Sequence, residues 1–434
     1  MFLRRTLPFL IVASLCTYFL FSIFFNGRLS WDTLPQSIGF GEKYDGPTEE
    51  QIASGENVLP DLRASSSHRP NFSEFHEPKI ENMSPYPMGE TKPPGSNYTK
   101  CLVIPRMKQE DTSWIEEELG DMIQTGALET AVYTVNDRTA KLHPPKNKGH
   151  EVMVYLTYII DHYEDLPDVN IFMHAHQKTW HNNELLDGDA AQMVRYLSPE
   201  RVTREGYMNL RCHWDPGCPK WLHPGATKQN MDKPEEVLLA ESWSQLFPMD
   251  PIPTVLAQPC CAQFAVSRDR ILKTNKMRYI YMRDWLMKTE LSDYLSGRIF
   301  EYIWQFIFNK APIHCPSMSA CYCDGYGLCF GSAQEFDHWF ELRYRQNEFK
   351  EKLRLWNEKA ELIEQWRKYA KEGKMVEEAA LEVPEVGRNK EYQQRIQELQ
   401  DDLDKRKRYA FELGKQPKQR AKESDRDWKE GDGF

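Results

Sequence analysis

The residues best suited to chemistry lie in one stretch, Val169-Asn-Ile-Phe-Met-His-Ala-His176, where an apolar run ends in His174-x-His176 and leads into Trp180-His181-Asn182-Asn183. Imidazoles at i and i+2 on an extended chain point the same way, which suits a bound metal or an anionic phosphate oxygen. The competing reading makes one histidine a satisfied core residue and leaves the other in water. Asp187-Gly188-Asp189 follows just before a helical pattern. Carboxylates one residue apart can share a divalent cation, and oxygen ligands suit Mg2+ or Mn2+. Asp189 is equally well placed as a helix N-cap.

Four other segments concentrate polar groups: Asn209-Leu-Arg211-Cys-His213-Trp214, Gln258 to Gln263 around the adjacent Cys260-Cys261, Arg283-Asp284-Trp285, and Ser296-Gly-Arg298-Ile-Phe-Glu301-Tyr-Ile-Trp304. Arg298 and Glu301, three apart on an otherwise aromatic and apolar helix, share a face. A carboxylate buried on such a helix would have a raised pKa and serve as a general base; the alternative is a structural ion pair.

These residues must be held by regular elements. Leu102 to Ile104, Ala131 to Val135, Val169 to Met173, Gly206 to Arg211 and Gln263 to Val266 read as strands, and Trp114 to Met122, Val152 to Ile160 and Ala190 to Leu197 as helices. Alternation of this kind predicts an α/β domain over 101–333, with a mainly parallel sheet flanked by helices. Ligands in such sheets bind beyond the carboxyl ends of the strands, which is where the His174-x-His176 motif falls. A charged helical extension is expected over 334–414, with Phe349, Leu353, Trp356, Ala360 and Ile363 at steps of four and three. That stripe packs back on the domain or forms a short coiled coil through which chains self-associate. Residues 415–434 read as a disordered tail.

The chain has 434 residues, a net charge of −10, 40% apolar and 28% charged residues. It is too apolar to be wholly disordered. The acidic balance and the lack of a clustered Lys/Arg block argue against a nucleic-acid partner. No dinucleotide glycine fingerprint, P-loop or HExxH helix is present.

Leu7 to Phe25 is a nearly unbroken uncharged apolar run, close to the ~20 residues that span a bilayer. Arg4 and Arg5 precede it, so residues 1–6 are expected to be cytoplasmic, 7–25 a signal anchor, and the remainder luminal in the endoplasmic reticulum or Golgi. Residues 26–100 are rich in proline and carry the sequons Asn71-Phe-Ser, Asn82-Met-Ser and Asn97-Tyr-Thr, which predicts a disordered, glycosylated stem. Besides Cys16 in the apolar run there are nine cysteines: Cys101, Cys212, Cys218, Cys260, Cys261, Cys315, Cys321, Cys323 and Cys329. In an oxidising lumen they read as disulfides of open connectivity with one thiol left over. Zinc held by Cys315, Cys321, Cys323 and Cys329 beside His314 is the alternative.

GYMNLRCHWDPGCP (206–219), QPCCAQFAVSRDRI (258–271), SGRIFEYIWQFIF (296–308), CYCDGYGLCFG (321–331) and HYEDLPDVNIFMHAH (162–176) together resemble a fungal family catalogued as a domain of unknown function, over roughly Cys101 to Trp339. That label carries no activity. The topology of short tail, anchor, stem and luminal α/β domain is similar to that of Golgi type II glycosyltransferases. This likeness implies a nucleotide-sugar donor and a glycan or protein acceptor, with Mn2+ or Mg2+ and the diphosphate held by His174, His176, Asp187 and Asp189. It further implies Arg211, His213, Trp180, His181, Gln263 and Arg298 around the donor, and Glu301 or Asp284 deprotonating the acceptor. Trp214 and Trp285 would, with Trp180, offer faces to a sugar ring. A non-catalytic luminal binding or scaffold protein, and a hydrolase using metal held by histidines, are the competing readings.

Overall fold

The computed structural model describes residues 84–373 and 382–434. The apolar run 7–25, the upper stem, Asn71 and Asn82 lie outside the described residues, and no described helix is long and apolar enough to cross a membrane.

Five strands form one sheet: β1 (Lys100–Arg106), β2 (Glu129–Thr134), β3 (Val169–Phe172), β4 (Tyr207–Asn209) and β5 (Phe264–Ser267), in the order β2-β1-β3-β5-β4. β1 pairs in parallel with β2 and β3, whereas β5 runs antiparallel to both β3 and β4. The sheet is therefore mixed, with four strands in one direction and β5 reversed. Short runs of the kind found in Phe264–Ser267 carry no sign of direction, so the reversal is invisible in sequence.

Side chains alternate across the sheet as a period of two requires. Cys101, Val103 and Phe172 join one buried cluster, and Leu102, Ile104, Val169 and Ile171 the opposite one. On the first face lie α2 (Val152–Asp161), α7 (Lys276–Lys288), α8 (Asp293–Glu301) and α9 (Trp304–Asn309). The second face is covered by α1 (Trp114–Gln124), α3 (Ala190–Tyr196) and α10 (Met318–Tyr326). With both faces covered, the strands read as continuous apolar runs. The short helices α4 (Pro199–Glu205), α5 (Leu239–Leu246) and α6 (Arg268–Leu272) link these layers.

The extension is a helical hairpin of α11 (Ala333–Lys371) and α12 (Arg388–Gly414), followed by α13 (Pro417–Glu423). Phe336, Trp339 and Leu342 of α11 and Leu403 and Ala410 of α12 belong to the second core cluster, so the hairpin's base is part of the domain. The apolar stripe of α11 meets α12 of the same chain: the Phe349 and Tyr392 rings are 6.1 Å apart, and Trp356 Nε1 donates to Glu385 O. At Gly414 a Cβ would stand 1.9 Å from Gly327 O, so this close docking of α12 requires glycine.

Two expectations of disorder are corrected. The lower stem is packed from Ser84 onward: Lys92 Nζ and Thr99 bond Asp168, Gly89 N donates to Arg204 O, and Tyr98 is buried. Asn97 is exposed. At the other end, Gly331 N donates to Glu423 of α13, and the Phe434 ring lies 3.8 Å from the Arg204 guanidinium. Polar anchors on buried charges hold both segments, and apolar periodicity does not register such anchors.

Four disulfides join Cys212 to Cys321, Cys218 to Cys315, Cys260 to Cys261 and Cys323 to Cys329, which points to a secretory-pathway domain. They also account for Cys315, Cys321, Cys323 and Cys329, against the zinc alternative. The odd thiol among the described residues is Cys101, buried beneath α2 and pushed up to about 11 by burial.

Candidate functional site

The chain enters β2 on one side of β1 and returns to β3 on the other, so the topological switch point lies between β1 and β3. The loops leaving these two strands meet there. Trp114 Nε1 donates to Ala175 O (2.7 Å), and His176 Nε2 lies 3.6 Å from Glu110 Oε1. Register brings more chain to this edge. Phe172 pairs with Phe264 and Asn209 with Phe264, so the end of β4 and the segment entering β5 face the same side as the end of β3. His174 to His181, Leu210 to Trp214 and Cys260 to Gln263 thus converge at one sheet edge.

Hydrogen bonds tie these segments together. Gln263 accepts from His174 N (3.1 Å) and donates to Asn182 Oδ1 (2.9 Å), while its carbonyl accepts from Leu210 N. Asn183 Nδ2 donates to Leu210 O and its Oδ1 accepts from Cys212 N. Glu301, the last residue of α8, accepts from Cys261 N at 2.7 Å.

His174 Nδ1 and His181 Nε2 are 3.1 Å apart, so one donates and the other accepts. Burial pushes His174 down to about 4, helped by His176 and His150, and drives His181 well below its ordinary value, helped by His174 and Arg211. His176 is lowered by burial against the opposing pull of Glu110. The Nε2 atom of His174 is buried with no hydrogen-bond partner. Arg211 is 7% exposed, and burial lowers it only to about 10, so it remains a cation. Its guanidinium donates to Trp180 O (3.3 Å) and Asp215 O (2.8 Å), stands 5.1 Å from the Trp180 ring, and keeps a buried Nε without a partner. Its hydrogen-bond acceptors are carbonyls; Asp215 and Glu184 lie near enough to favour its charge, but among the described residues neither forms an ion pair with it.

The remaining candidates divide. Arg298 forks onto the buried Glu235 (2.9 and 3.1 Å) rather than pairing with Glu301 alone; burial would lower it, but Glu301 and Glu235 raise it overall. His213 bonds Tyr322 (2.7 Å) and packs on Phe340, and burial, helped by Arg211, pushes it down to about 3. Trp214 donates to Pro316 O, and Trp285 packs on Phe300 and donates to Gln245. Asp284 is half-buried on α7 with no hydrogen bond or ion pair among the described residues, so nothing links it to the crevice.

The aspartates of the Asp187-Gly-Asp189 triplet are engaged elsewhere. Asp187 lies 3.0 Å from Lys407 of α12, on the surface. Asp189 caps α3, accepting from Ala191 N (2.8 Å), and pairs with Lys178 (2.9 Å). Its alternative reading as an N-cap is the one the structure bears out. Both carboxylates are thus engaged by lysines or by the α3 N-terminus, and within the crevice the buried side-chain donors are mainly nitrogens. Asp187→Asn is expected to change stability by no more than about 0.5 kcal/mol, because an exposed pair contributes little. Asp189→Ala is expected to cost about 1 kcal/mol through the lost cap. Urea melts of the two variants distinguish these outcomes.

Sequence reading missed Glu110 and His150, which join the imidazole cluster, and the bond between the adjacent cysteines. Applying the carboxyl-end rule to β1 as well as β3 would have singled out the Met107 to Ser113 loop. Nothing local marked His150, which reaches the others only through the packing of α2.

The buried imidazoles predict acid sensitivity. An unfolded imidazole titrates near ~6.5, whereas His174 and His213 are pushed down to about 4 and about 3. Below ~6.5 the unfolded chain binds protons that the folded chain refuses, so stability is full above that pH and falls as pH drops. The loss between pH 6.5 and 5 is expected to reach roughly 2 kcal/mol per imidazole. Urea midpoints at pH 7.5 and 5 measure it; equal midpoints would show that these rings ionise freely.

No curated protein and no solved structure matches the chain. Residues 102–324, more than half of it, match the family model described as "Protein of unknown function (DUF3431)" and contain four strands of the sheet, all of β1 but its first two residues, and the residues gathered above at its edge, Asn209 and Gln263 included; the chain belongs to the DUF3431 family.

Proposed function

We propose that this protein is a luminal transferase that binds a diphosphate-bearing sugar donor in the crevice between β1 and β3, and that residues 7–25 anchor it as a type II protein of the Golgi or endoplasmic reticulum. The observation that carries the reading is Arg211, a buried cation at the sheet's carboxyl edge whose hydrogen bonds go to carbonyls. A desolvated guanidinium is costly without an anion, and its fork matches phosphate oxygens. Trp180 beside it supplies a flat face for a sugar or base ring. The neutral imidazoles of His174 and His181 add donors without adding charge. Glu301, held by the Cys261 amide, takes the proton of an acceptor hydroxyl.

A second reading rests on the buried, unpartnered His174 Nε2. Nitrogen donors suit Zn2+, which would make the crevice the centre of a hydrolase. Release of nucleoside diphosphate from a panel of nucleotide sugars, with and without an acceptor glycan, decides between them. The transferase reading expects release from one donor, retained in Asp187→Asn and lost in Glu301→Gln. Release from none, together with zinc retained through gel filtration, would favour the hydrolase.

A further inference from the structure

The Cys260–Cys261 bond differs in kind from the other three. Cys212–Cys321 and Cys218–Cys315 close loops of 109 and 97 residues and Cys323–Cys329 one of 6, but Cys260 and Cys261 are neighbours in sequence. A bond between adjacent residues ties no distant parts of the chain together and removes almost no freedom from the unfolded state, so cross-linking does not explain it. What it constrains is the local backbone. Cys261 has φ +85° and Ala262 φ +49°, two consecutive non-glycine residues in the left-handed region, which persists only where the surroundings enforce it.

This strained segment is the hub of the crevice. Gln258 accepts from Tyr207 and donates to Glu301 O, Pro259 O accepts from Asn209, and Cys260 N donates to Pro216 O. Cys261 N holds the Glu301 carboxylate, and Gln263 holds His174 N and Asn182. Glu301 also has an oxygen within 4.8 Å of both sulfurs. Cys260 is buried and Cys261 half-buried, so one sulfur of the pair lies on a residue that solvent reaches.

We propose that Cys260–Cys261 is a thiol–disulfide exchange site at which a dithiol reductant controls the placement of Glu301 and His174. A thiolate of the reductant attacks the Cys261 sulfur, the bond between the cysteines breaks, and Cys260 leaves and takes up a proton. The reductant's second thiol then displaces Cys261, so the reductant ends as a disulfide and the protein as two thiols. With the ring open, Cys261 relaxes out of positive φ, its amide leaves Glu301, and the Gln263 bridge to His174 loosens. The proposal stands whether or not the crevice transfers a sugar.

The test treats the whole chain with graded dithiothreitol, traps thiols with N-ethylmaleimide, maps them by mass spectrometry, and follows amide hydrogen exchange in parallel. The expected result is alkylation of Cys260 and Cys261 while the other three bonds are intact. Exchange at Cys261 and His174 then quickens about tenfold or more, and β1 stays protected. Opening only together with the other bonds, or opening with no change at His174, overturns the proposal. Two variants isolate the backbone effect. Cys260→Ser with Cys261→Ser reproduces the fast exchange, whereas Cys260→Ser with Cys261→Gly, which tolerates positive φ, keeps His174 protected. Equal exchange in the two variants would also overturn it.

Discussion

An Arg211→Met variant is expected to fold and to lose about 100-fold or more in affinity for its diphosphate ligand, since each hydrogen bond to a charged group contributes ~1.5–3 kcal/mol and the guanidinium offers two. Stability should change little. Among the described residues no ion pair to Arg211 is broken; its loss leaves two carbonyls, of Trp180 and Asp215, short of a donor while removing a desolvated charge that Asp215 and Glu184 offset only in part. Arg211→Lys keeps the charge without the fork and should recover about tenfold of the loss. Calorimetric titration with the donor, beside a urea melt, separates affinity from folding. If Arg211→Met bound normally and melted several degrees lower, Arg211 would be a structural residue and the crevice reading would fail.

Asp324→Asn is expected to be the most destabilising conservative change in the second layer, at about 3–5 kcal/mol, the cost of stranding buried charge. Asp324 is 1% exposed on α10. Its carboxylate binds Arg201 (3.0 Å) and Arg204, both buried, and lies 3.5 Å from Arg420 of α13. Removing one negative charge leaves guanidinium groups facing one another away from water. Because Arg204 also holds Gly433 O and the Phe434 ring, the C-terminal segment should loosen with it. Calorimetry should show a melting temperature lower by about 10 °C, and limited proteolysis should cut first near residues 424–434. A loss below about 1 kcal/mol would mean that the arginines are solvated when the domain breathes, and not charge-locked.

The α/β class, the strands before each motif and the charged helical extension were legible because they rest on periodicity. Val169 to Phe172 is an apolar run, and Gly373, Pro384 and Gly387 stand at the end of α11 and before α12. The placing of His174 and His176 just beyond the end of β3 followed from the same pattern. What sequence left open depends on distant partners. Asp187, a candidate metal ligand by its spacing from Asp189, pairs with Lys407, 3.0 Å away and 220 residues further on. His213 lies two residues after Arg211, yet its imidazole is taken up by Tyr322 of α10, 109 residues further on. Arg298 and Glu301 share a helix face as expected and interact, and Glu235, 63 residues earlier, shares the arginine. Disulfide pairing was beyond reach for the same reason, although an odd count did require a leftover thiol, and Cys101 is one.

The central claim, that the sheet's carboxyl edge is an anion-binding crevice for a nucleotide sugar, is tested most directly by thermal shift of the whole chain against nucleotide sugars, nucleoside diphosphates and pyrophosphate. Saturation at 100 times the dissociation constant adds ~2.7 kcal/mol, enough to move the melting temperature by several degrees. The account predicts such a shift for one nucleotide sugar, smaller for its diphosphate, kept in Asp187→Asn and absent in Arg211→Met. A cooperative melt that none of these ligands moves would contradict it.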